Sequence, residues 1–402
     1  MQILFLHRVF PGQFRYLAAA LAANPDHQVV FGTMRPEGEL PGVHEVLYAP
    51  ARAVHPQTHF CVRTLENGVL DGQAVYRLAE QLKRQGFVPD IVYGHSGWGP
   101  TLFIKDIFPR ARLLCYFEWF YRAQGSSHGF DPAIPVDANA QIEIRTKNAP
   151  ILLDLHSCDA GISPTRWQQS QFPAEMRAEI NVLHDGIPTH IVLPGLGRLC
   201  LPQLGLDLSA VEELVTYVAT GMEPLRGFPQ FIEAAALVLE RRPGCHVVVV
   251  GEDRVEYGNT LAEGKTYKQL MLEKFTPDPS RLHFTGRLPY AQYVQVLQSS
   301  SVHVHLTYPY ILSWSLMEAL SAGCLVVGSA TPPVMEMIRD GVNGLLVDFF
   351  SPRQIAERVE EVLDHPTRMA EIRARAWALI LEKYALFPAL FSALFSAPFS
   401  IL

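Results

Sequence analysis

The sequence predicts an α/β protein built of two doubly wound parallel sheets that face a shared cleft. Short apolar runs alternate with amphipathic segments through both halves of the chain, which is the pattern of βα units. The alternation breaks once, where Pro194-Gly195-Leu196-Gly197 and Pro202 fall between two such series. A length of 402 residues also exceeds what one ordinary core organises.

In the first half, Ile3–Leu6 reads as a buried strand and Gln13–Leu21 as the helix after it. Gln28–Phe31 is a second strand. Val69–Gln85 has helical spacing, with Val75, Leu78 and Leu82 on one side. Asp90–Tyr93, Leu113–Phe117, Ala160–Ile162 and Ile180–Leu183 complete the strands of this half. In the second half, strand Leu214–Val218 leads to helix Phe228–Arg241, strands His246–Val250 and Leu282–Phe284, helix Ala291–Gln298 and strand Val302–Leu306. Residues 307–347 then read as loop, helix, buried strand, loop, helix, turn and strand. The expected domains are 1–190, a linker over 191–211, and 212–368. A C-terminal helix with an apolar tail follows over 369–402. In that tail Phe387, Phe391, Phe395 and Phe399 recur every four residues. It reads as a helix packed back on the body or, alternatively, as a peripheral membrane contact, although it lacks the basic face of interfacial helices.

At 49% hydrophobic and 18% charged, the chain is globular and can bury two cores. A formal charge of −7 argues against nucleic acid as a partner. The six cysteines are scattered and form no CxxC pair, so a reduced, cytoplasmic protein without a structural zinc site is expected. The N-terminus MQILFLH has no basic leader and reads as a strand. His303 and His305 lie two apart like metal ligands, but no third ligand has fitting spacing, so no metal is expected.

Ligands of doubly wound sheets bind beyond the carboxyl ends of strands. His7–Gln13 follows the first strand there, and Gly12 serves either an anion at the helix start or a tight βα turn. Thr220–Gly227, with Gly221 and Arg226, suits a diphosphate, unless Arg226 is merely solvated. Gly251-Glu252-Asp253 is a weaker candidate for contact with a base or ribose. The most informative residue is Glu318, inside the apolar helix Leu316–Leu320. A carboxylate so placed needs a partner. A ligand's vicinal hydroxyls would supply one, and the helix start near Leu312–Ser315 would favour a phosphate or sugar.

These residues resemble the family 4 glycosyltransferases, retaining enzymes of the GT-B fold with two Rossmann-like domains, over nearly the whole chain. SWSLMEALSAGCLVVGSATPPVMEMIRDGVNGLLVD is the most specific match. GMEPLRGFPQFIEAA resembles the diphosphate loop, FPGQFRYLA the N-terminal glycine loop, and ISPTRWQQSQFP with HDGI the hinge-side loops. The resemblance implies transfer of a sugar from a nucleoside-diphosphate donor to a glycan or lipid-linked acceptor, in polysaccharide or glycoconjugate synthesis. No metal or other cofactor would be needed. It implies that Glu318 binds the ribose, Arg226 the phosphates, Gly12 the diphosphate, and the Ser313 and Trp314 amides the donor. Glu336 matches a later glutamate. His95, Trp98, Glu118 and Tyr121 would line the acceptor side, with core packing as the alternative for Tyr121. The chain departs from the family pattern in three places. Tyr310 replaces the donor-sugar carboxylate, Ala219-Thr220-Gly221 lacks a second cation, and Glu118 follows a strand where relatives carry a histidine. Glu118 is either an acceptor-side group or a loop carboxylate paired with Arg122. A catalytically weakened nucleotide-sugar-binding subunit and a sugar-nucleotide epimerase are the rival readings. A nicotinamide dehydrogenase ranks last, since no GxGxxG follows the first strand.

Overall fold

Ile3, Leu4, Phe5 and Leu6 are all buried, as a strand covered on both faces requires. They belong to β1 (Gln2–Leu6) in the computed structural model, which describes residues 1–195, 197–261 and 264–385. Two units divide at Gly186/Ile187.

In the first unit a single-turn 3-10 helix, Gly12–Phe14, leads into α1 (Arg15–Ala22). Then come β2 (Gln28–Thr33), β3 (Val43–Leu47), α2 (Arg63–Arg84), β4 (Ile91–His95), α3 (Ile104–Ile107) and β5 (Arg112–Tyr116). The unit ends with α4 (Ala138–Thr146), α5 (Ala149–Ser157), β6 (Ala160–Ser163), α6 (Arg166–Ser170) and β7 (Ile180–Val182). All seven strands are parallel, in the order β3-β2-β1-β4-β5-β6-β7. Alternation splits the sheet's side chains between two cores. Leu4, Leu6, Val92, Leu113 and Cys115 pack with Val75 and Leu78 of α2, and Ile3, Phe5, Tyr93, Leu114 and Tyr116 with Leu17 and Leu21 of α1. The edge strand β3 was not anticipated. Its sequence Val-His-Glu-Val-Leu is half-exposed and charged, as edges often are, and has no clean apolar run.

The second unit starts with residues expected to be a linker. They are instead structured. β8 (Cys200–Leu201) and β9 (Leu206–Asp207) form a small hairpin, and Val192, Leu199, Leu201 and Leu208 join the unit's cores. Gly and Pro interrupt the periodic pattern here, but four buried apolar residues tie the stretch to the second unit.

Next come β10 (Glu213–Gly221), α7 (Phe228–Arg241), β11 (Cys245–Glu252), α8 (Tyr267–Phe275), β12 (Leu282–Gly286), α9 (Tyr290–Gln298) and β13 (Val302–His305). α10 (Trp314–Ser321), β14 (Val326–Ser329), α11 (Pro332–Met337), β15 (Leu345–Val347), α12 (Pro352–Asp364) and α13 (Pro366–Lys383) complete it. This sheet is also parallel, in the order β12-β11-β10-β13-β14-β15. α13 begins before the boundary expected at 368/369, and its Ala376 and Ile380 pack in the same core as Leu316 and Leu320 of α10. α8 was missed, although Thr266 and Gln269 form a capping box at its start. The apolar tail around Phe387–Phe399 lies outside the described residues.

Candidate functional site

Strand order reverses between β1 and β4 in the first sheet and between β10 and β13 in the second. Loops beyond those strand ends form the natural ligand crevice of each unit. The candidate residues gather there.

In the second unit the loop after β10 is held from several directions. Gly221 is required by backbone packing, because a Cβ there would lie 2.6 Å from the Arg254 carbonyl oxygen. Glu223 is wholly buried, and its carboxylate accepts the Tyr257 N–H at 3.0 Å and the Gly258 N–H at 2.8 Å. Burial pushes its pKa up, and these amides and Arg226 pull the other way. Pro224–Arg226 makes one 3-10 turn that ends at Gly227, in the left-handed region at φ 68°. A Cβ on Gly227 would overlap Leu306. The Tyr217 hydroxyl donates to the Arg226 carbonyl at 2.7 Å, and the Tyr308 N–H to the Leu225 carbonyl at 2.9 Å. The loops after β10 and β13 are thereby joined.

Arg226 is 8% exposed rather than solvated. Its Nη1 donates to Thr307 Oγ1 at 2.9 Å, and its guanidinium carbon lies 5.7 Å from the centre of the Tyr257 ring. The Tyr257 ring meets Tyr310 edge-on at 5.7 Å. Tyr310 therefore belongs to an aromatic group beside the arginine. Thr307 is fixed in turn, its N–H donating to Ser329 Oγ at 3.1 Å.

The loop then enters α10, where Ser313 is the N-cap and its Oγ accepts the Ser315 N–H at 3.3 Å. Trp314 opens the helix and is half-buried, and Glu336 is half-buried on α11. Glu318 is 5% exposed. Its expected partner was a ligand hydroxyl, and two protein hydroxyls already reach it in the structure. Tyr290 donates to Oε1 and Tyr293 to Oε2, each at 2.7 Å. Sequence reasoning missed both tyrosines. The signal was their three-residue spacing at the start of the helix expected from Ala291. Glu223 and Tyr257 were missed as well, because neither burial nor loop contact is visible in a sequence.

His303 and His305 share one face of β13, with ring centres 6.4 Å apart. Burial holds His303 down to about 3 and, with His303 and Arg226 adding, keeps His305 well below the ordinary range. Among the described residues no group of three or more His, Cys, Asp or Glu is arranged to hold a metal ion.

In the first unit the loops after β1, β4 and β5 bring His7, His95, Trp98 and Glu118 together. The His95 and Trp98 rings stack at 3.8 Å and 4°, and His7 meets both edge-on, at 5.2 and 5.1 Å. His95 Nε2 stands 3.4 Å from Glu118 Oε2, an ion-pair distance rather than a well-formed hydrogen bond. Gln13 Nε2 donates to Glu118 Oε1 at 2.8 Å. Burial would raise the Glu118 pKa, but His95, Gln13 and His7 outweigh it and the net shift is downward. Glu118 does not pair with Arg122, whose Nε donates to the Gln171 carbonyl. Burial, with His95 adding, holds His7 down to about 3, so it is neutral. Gly12 has φ 51°, and a Cβ there would sit 2.5 Å from the His7 ring, so the tight turn demands glycine whether or not an anion is near. Tyr121 packs against the first unit's core and is tied to Asn148 through its backbone N–H, at 2.8 Å.

Two Rossmann-like halves with the same strand order define a GT-B protein. Two family models match: "Glycosyl transferase family 4 group" over residues 25–192 and "Glycosyl transferases group 1" over residues 209–377. The chain belongs to the family 4 glycosyltransferases. Among curated relatives, the D-inositol 3-phosphate glycosyltransferase of Mycolicibacterium smegmatis is 26% identical over 243 residues, 60% of this chain and 48% of the relative. Its counterpart from Thermobispora bispora is 26% identical over 201 residues, 49% of this chain and 45% of the relative. The matches thus span about half the length of these relatives. Among solved structures, Anabaena HepE in complex with UDP and glucose superposes with a TM-score of 0.68 at 16% identity, covering 96% of both chains. Sucrose-phosphate synthase from Thermosynechococcus elongatus gives 0.70 at 14% identity over 96% of this chain and 95% of that one. At such identities the likeness is one of fold.

Proposed function

We propose that the protein is a retaining glycosyltransferase of hexosyltransferase type, moving a sugar from a nucleoside-diphosphate sugar to an acceptor hydroxyl. The observation that carries this is Arg226. It is a buried cation fixed by Thr307 and flanked by Tyr257, at the strand-order reversal of the second sheet and on the loop joined to the approach to α10. Such a cation suits a diphosphate, and it stabilises the charge that develops as the sugar–phosphate bond breaks. The amides of Ser313 and Trp314 at the start of α10 would add to it, and Glu318 would receive the ribose hydroxyls. Gly221 and Gly12 let loops approach the phosphates closely, and Glu336 would lie on the donor side. With cation and helix terminus in these roles the transfer would not need a metal. In front-face transfer the leaving phosphate takes the acceptor proton, so the protein supplies position and charge rather than a base.

The acceptor falls to the first unit, where Trp98 and Glu118, with buried His95 stacked on Trp98, form a polar and aromatic cluster suited to a glycan or lipid-linked acceptor, and Tyr121 packs against the core. Membership of the family, and the UDP and glucose bound by HepE, support this reading. Synthesis of a polysaccharide or glycoconjugate in the cytoplasm or at a membrane surface fits it. Among the described residues no helix is long and apolar enough to cross a membrane.

Tyr310, and Thr220 where a second cation would stand, favour one alternative: a nucleotide-sugar binder that does not turn over. Incubation with UDP-, GDP- and ADP-sugars, following nucleoside-diphosphate release and the anomeric protons of the product by NMR, separates the readings. Transfer with retained configuration is expected. Binding without turnover would favour the silent subunit, and isomerised donor without acceptor would favour an epimerase.

A further inference from the structure

In the first unit, loops after three strands meet around one carboxylate. Glu118 follows β5, His95 ends β4, and His7 and Gln13 follow β1. The Glu118 side chain is 19% exposed against 4% for His95, so the carboxylate is the member of that pair that reaches the surface. His95 Nδ1 lies 2.8 Å from the Ser96 carbonyl oxygen and carries a proton toward it, which leaves Nε2 to face Glu118. A carboxylate offers about four acceptor directions. Gln13 fills one on Oε1, and Oε2 faces the His95 ring at 3.4 Å, too far for a well-formed hydrogen bond. Half-buried Trp98 lies flat on the other ring surface of this group, stacked on His95 at 3.8 Å. Charge here is balanced or negative. His7 is neutral, held down to about 3 by burial and His95. Arg8 donates to the Trp98 carbonyl at 3.2 Å, but its charge is paired with Asp71, whose Oδ2 lies 2.6 Å from its Nε. Glu118 is ionised at neutral pH, because His95, Gln13 and His7 outweigh its burial. With one proton on the His95 ring the group is negative, and with two it is neutral. In neither state do these residues hold a cation without its counter-charge.

We propose that this cluster selects an uncharged sugar or polyol as acceptor, its hydroxyls donating to Glu118, and discriminates against an acceptor that carries a phosphate. The proposal rests on the reading of the first unit as the acceptor side. A phosphate monoester carries a charge of about −1.5 to −2 at neutral pH. It would meet an ionised carboxylate and no spare cation, and like charges brought together in a partly desolvated site are strongly disfavoured. A neutral hydroxyl meets the same oxygen as a hydrogen-bond acceptor, and a bond to an ionised oxygen is stronger than one between neutral groups. An aromatic ring near such a carboxylate suits the C–H face of the same sugar.

The test is titration of the full chain, followed by saturation-transfer NMR, with matched neutral and phosphorylated probes: glucose and glucose 6-phosphate, mannose and mannose 6-phosphate, myo-inositol and myo-inositol 3-phosphate. Saturating UDP, GDP or ADP, whichever binds, occupies the donor side so that the probes report on the first unit. Wild type is expected to bind the neutral member of a pair at least about tenfold more tightly than its phosphate. Glu118→Gln should narrow that ratio from both sides, weakening the neutral sugar and strengthening the phosphate. Equal affinities or a preference for the phosphate in wild type, or an unchanged ratio in Glu118→Gln, would overturn the proposal. If no member of any pair binds while a nucleoside diphosphate does, the acceptor role of the cluster falls and the donor reading stands. If no nucleoside diphosphate binds, the donor reading falls and takes the proposal with it. The wild-type ratio decides the matter even if Glu118→Gln does not fold.

Discussion

Arg226 and Glu318 are both almost wholly buried, yet they are held differently. Arg226 makes one side-chain hydrogen bond to Thr307 and lies beside an aromatic ring, and Glu318 is gripped through both oxygens. The sequence marked both residues, Glu318 through its place in an apolar helix and Arg226 through its place between two glycines. It did not show the tyrosines or Glu223, because those contacts join segments far apart in the chain. Replacing Arg226 by alanine should lower donor turnover by about 10²–10³-fold, the usual effect of removing one preorganised donor from a charged transition state. Steady-state kinetics checks this, and lysine at the same position should recover part of the rate because it keeps the charge but not the planar donor. A second residue sets a pH dependence. Asp154 is fully buried, accepts from Ser96 Oγ at 2.7 Å and from the Gly97 N–H at 3.3 Å, and is pushed up to about 6, chiefly by burial. The native state therefore holds a proton that the unfolded chain has lost, from the ordinary value of 3.8 up to about 6. Stability should fall as pH rises through that window, by roughly 3 kcal/mol at most. Denaturant unfolding at stepped pH should show the fall in wild type and lose it in Asp154→Asn.

At the scale of elements, the central strands could be read closely because both of their faces are buried and their sequences are continuous apolar runs. Helix α7 follows from its sequence end to end, Phe228–Arg241, with Gly227 before it and an apolar stripe through Phe231, Ile232, Ala235 and Val238. β3 escaped because it is a charged edge strand, and residues 191–211 because their buried residues follow no period. The turn that carries Arg226 depends on Gly227. Any side chain there meets both an unfavourable φ of 68° and the Leu306 side chain. Gly227→Ala should cost roughly 1–3 kcal/mol in equilibrium unfolding. Because the same turn sets Arg226, it should also weaken nucleotide binding beyond what lost stability explains, which titration well below the melting temperature would reveal.

For the molecule as a whole, both sheets reverse strand order beside their first strand, and most candidate residues follow the strands at that reversal. This regularity explains why the family could be read from scattered motifs. The motifs include the loops after β1 and β10 and the run through α10 and β14. Tyr310 lies in the loop after β13, with its ring against Tyr257. The central claim is that the second unit's reversal point binds a nucleoside-diphosphate sugar through Arg226 and Glu318. Thermal unfolding of the full chain with UDP-, GDP- and ADP-sugars tests it most directly, because a ligand at a hundred times its Kd adds about 2.7 kcal/mol to native stability. One of the three should raise the melting temperature of wild type by several degrees, and Arg226→Ala and Glu318→Gln should abolish that rise. No rise with any sugar nucleotide, or an undiminished rise in both variants, would contradict the assignment.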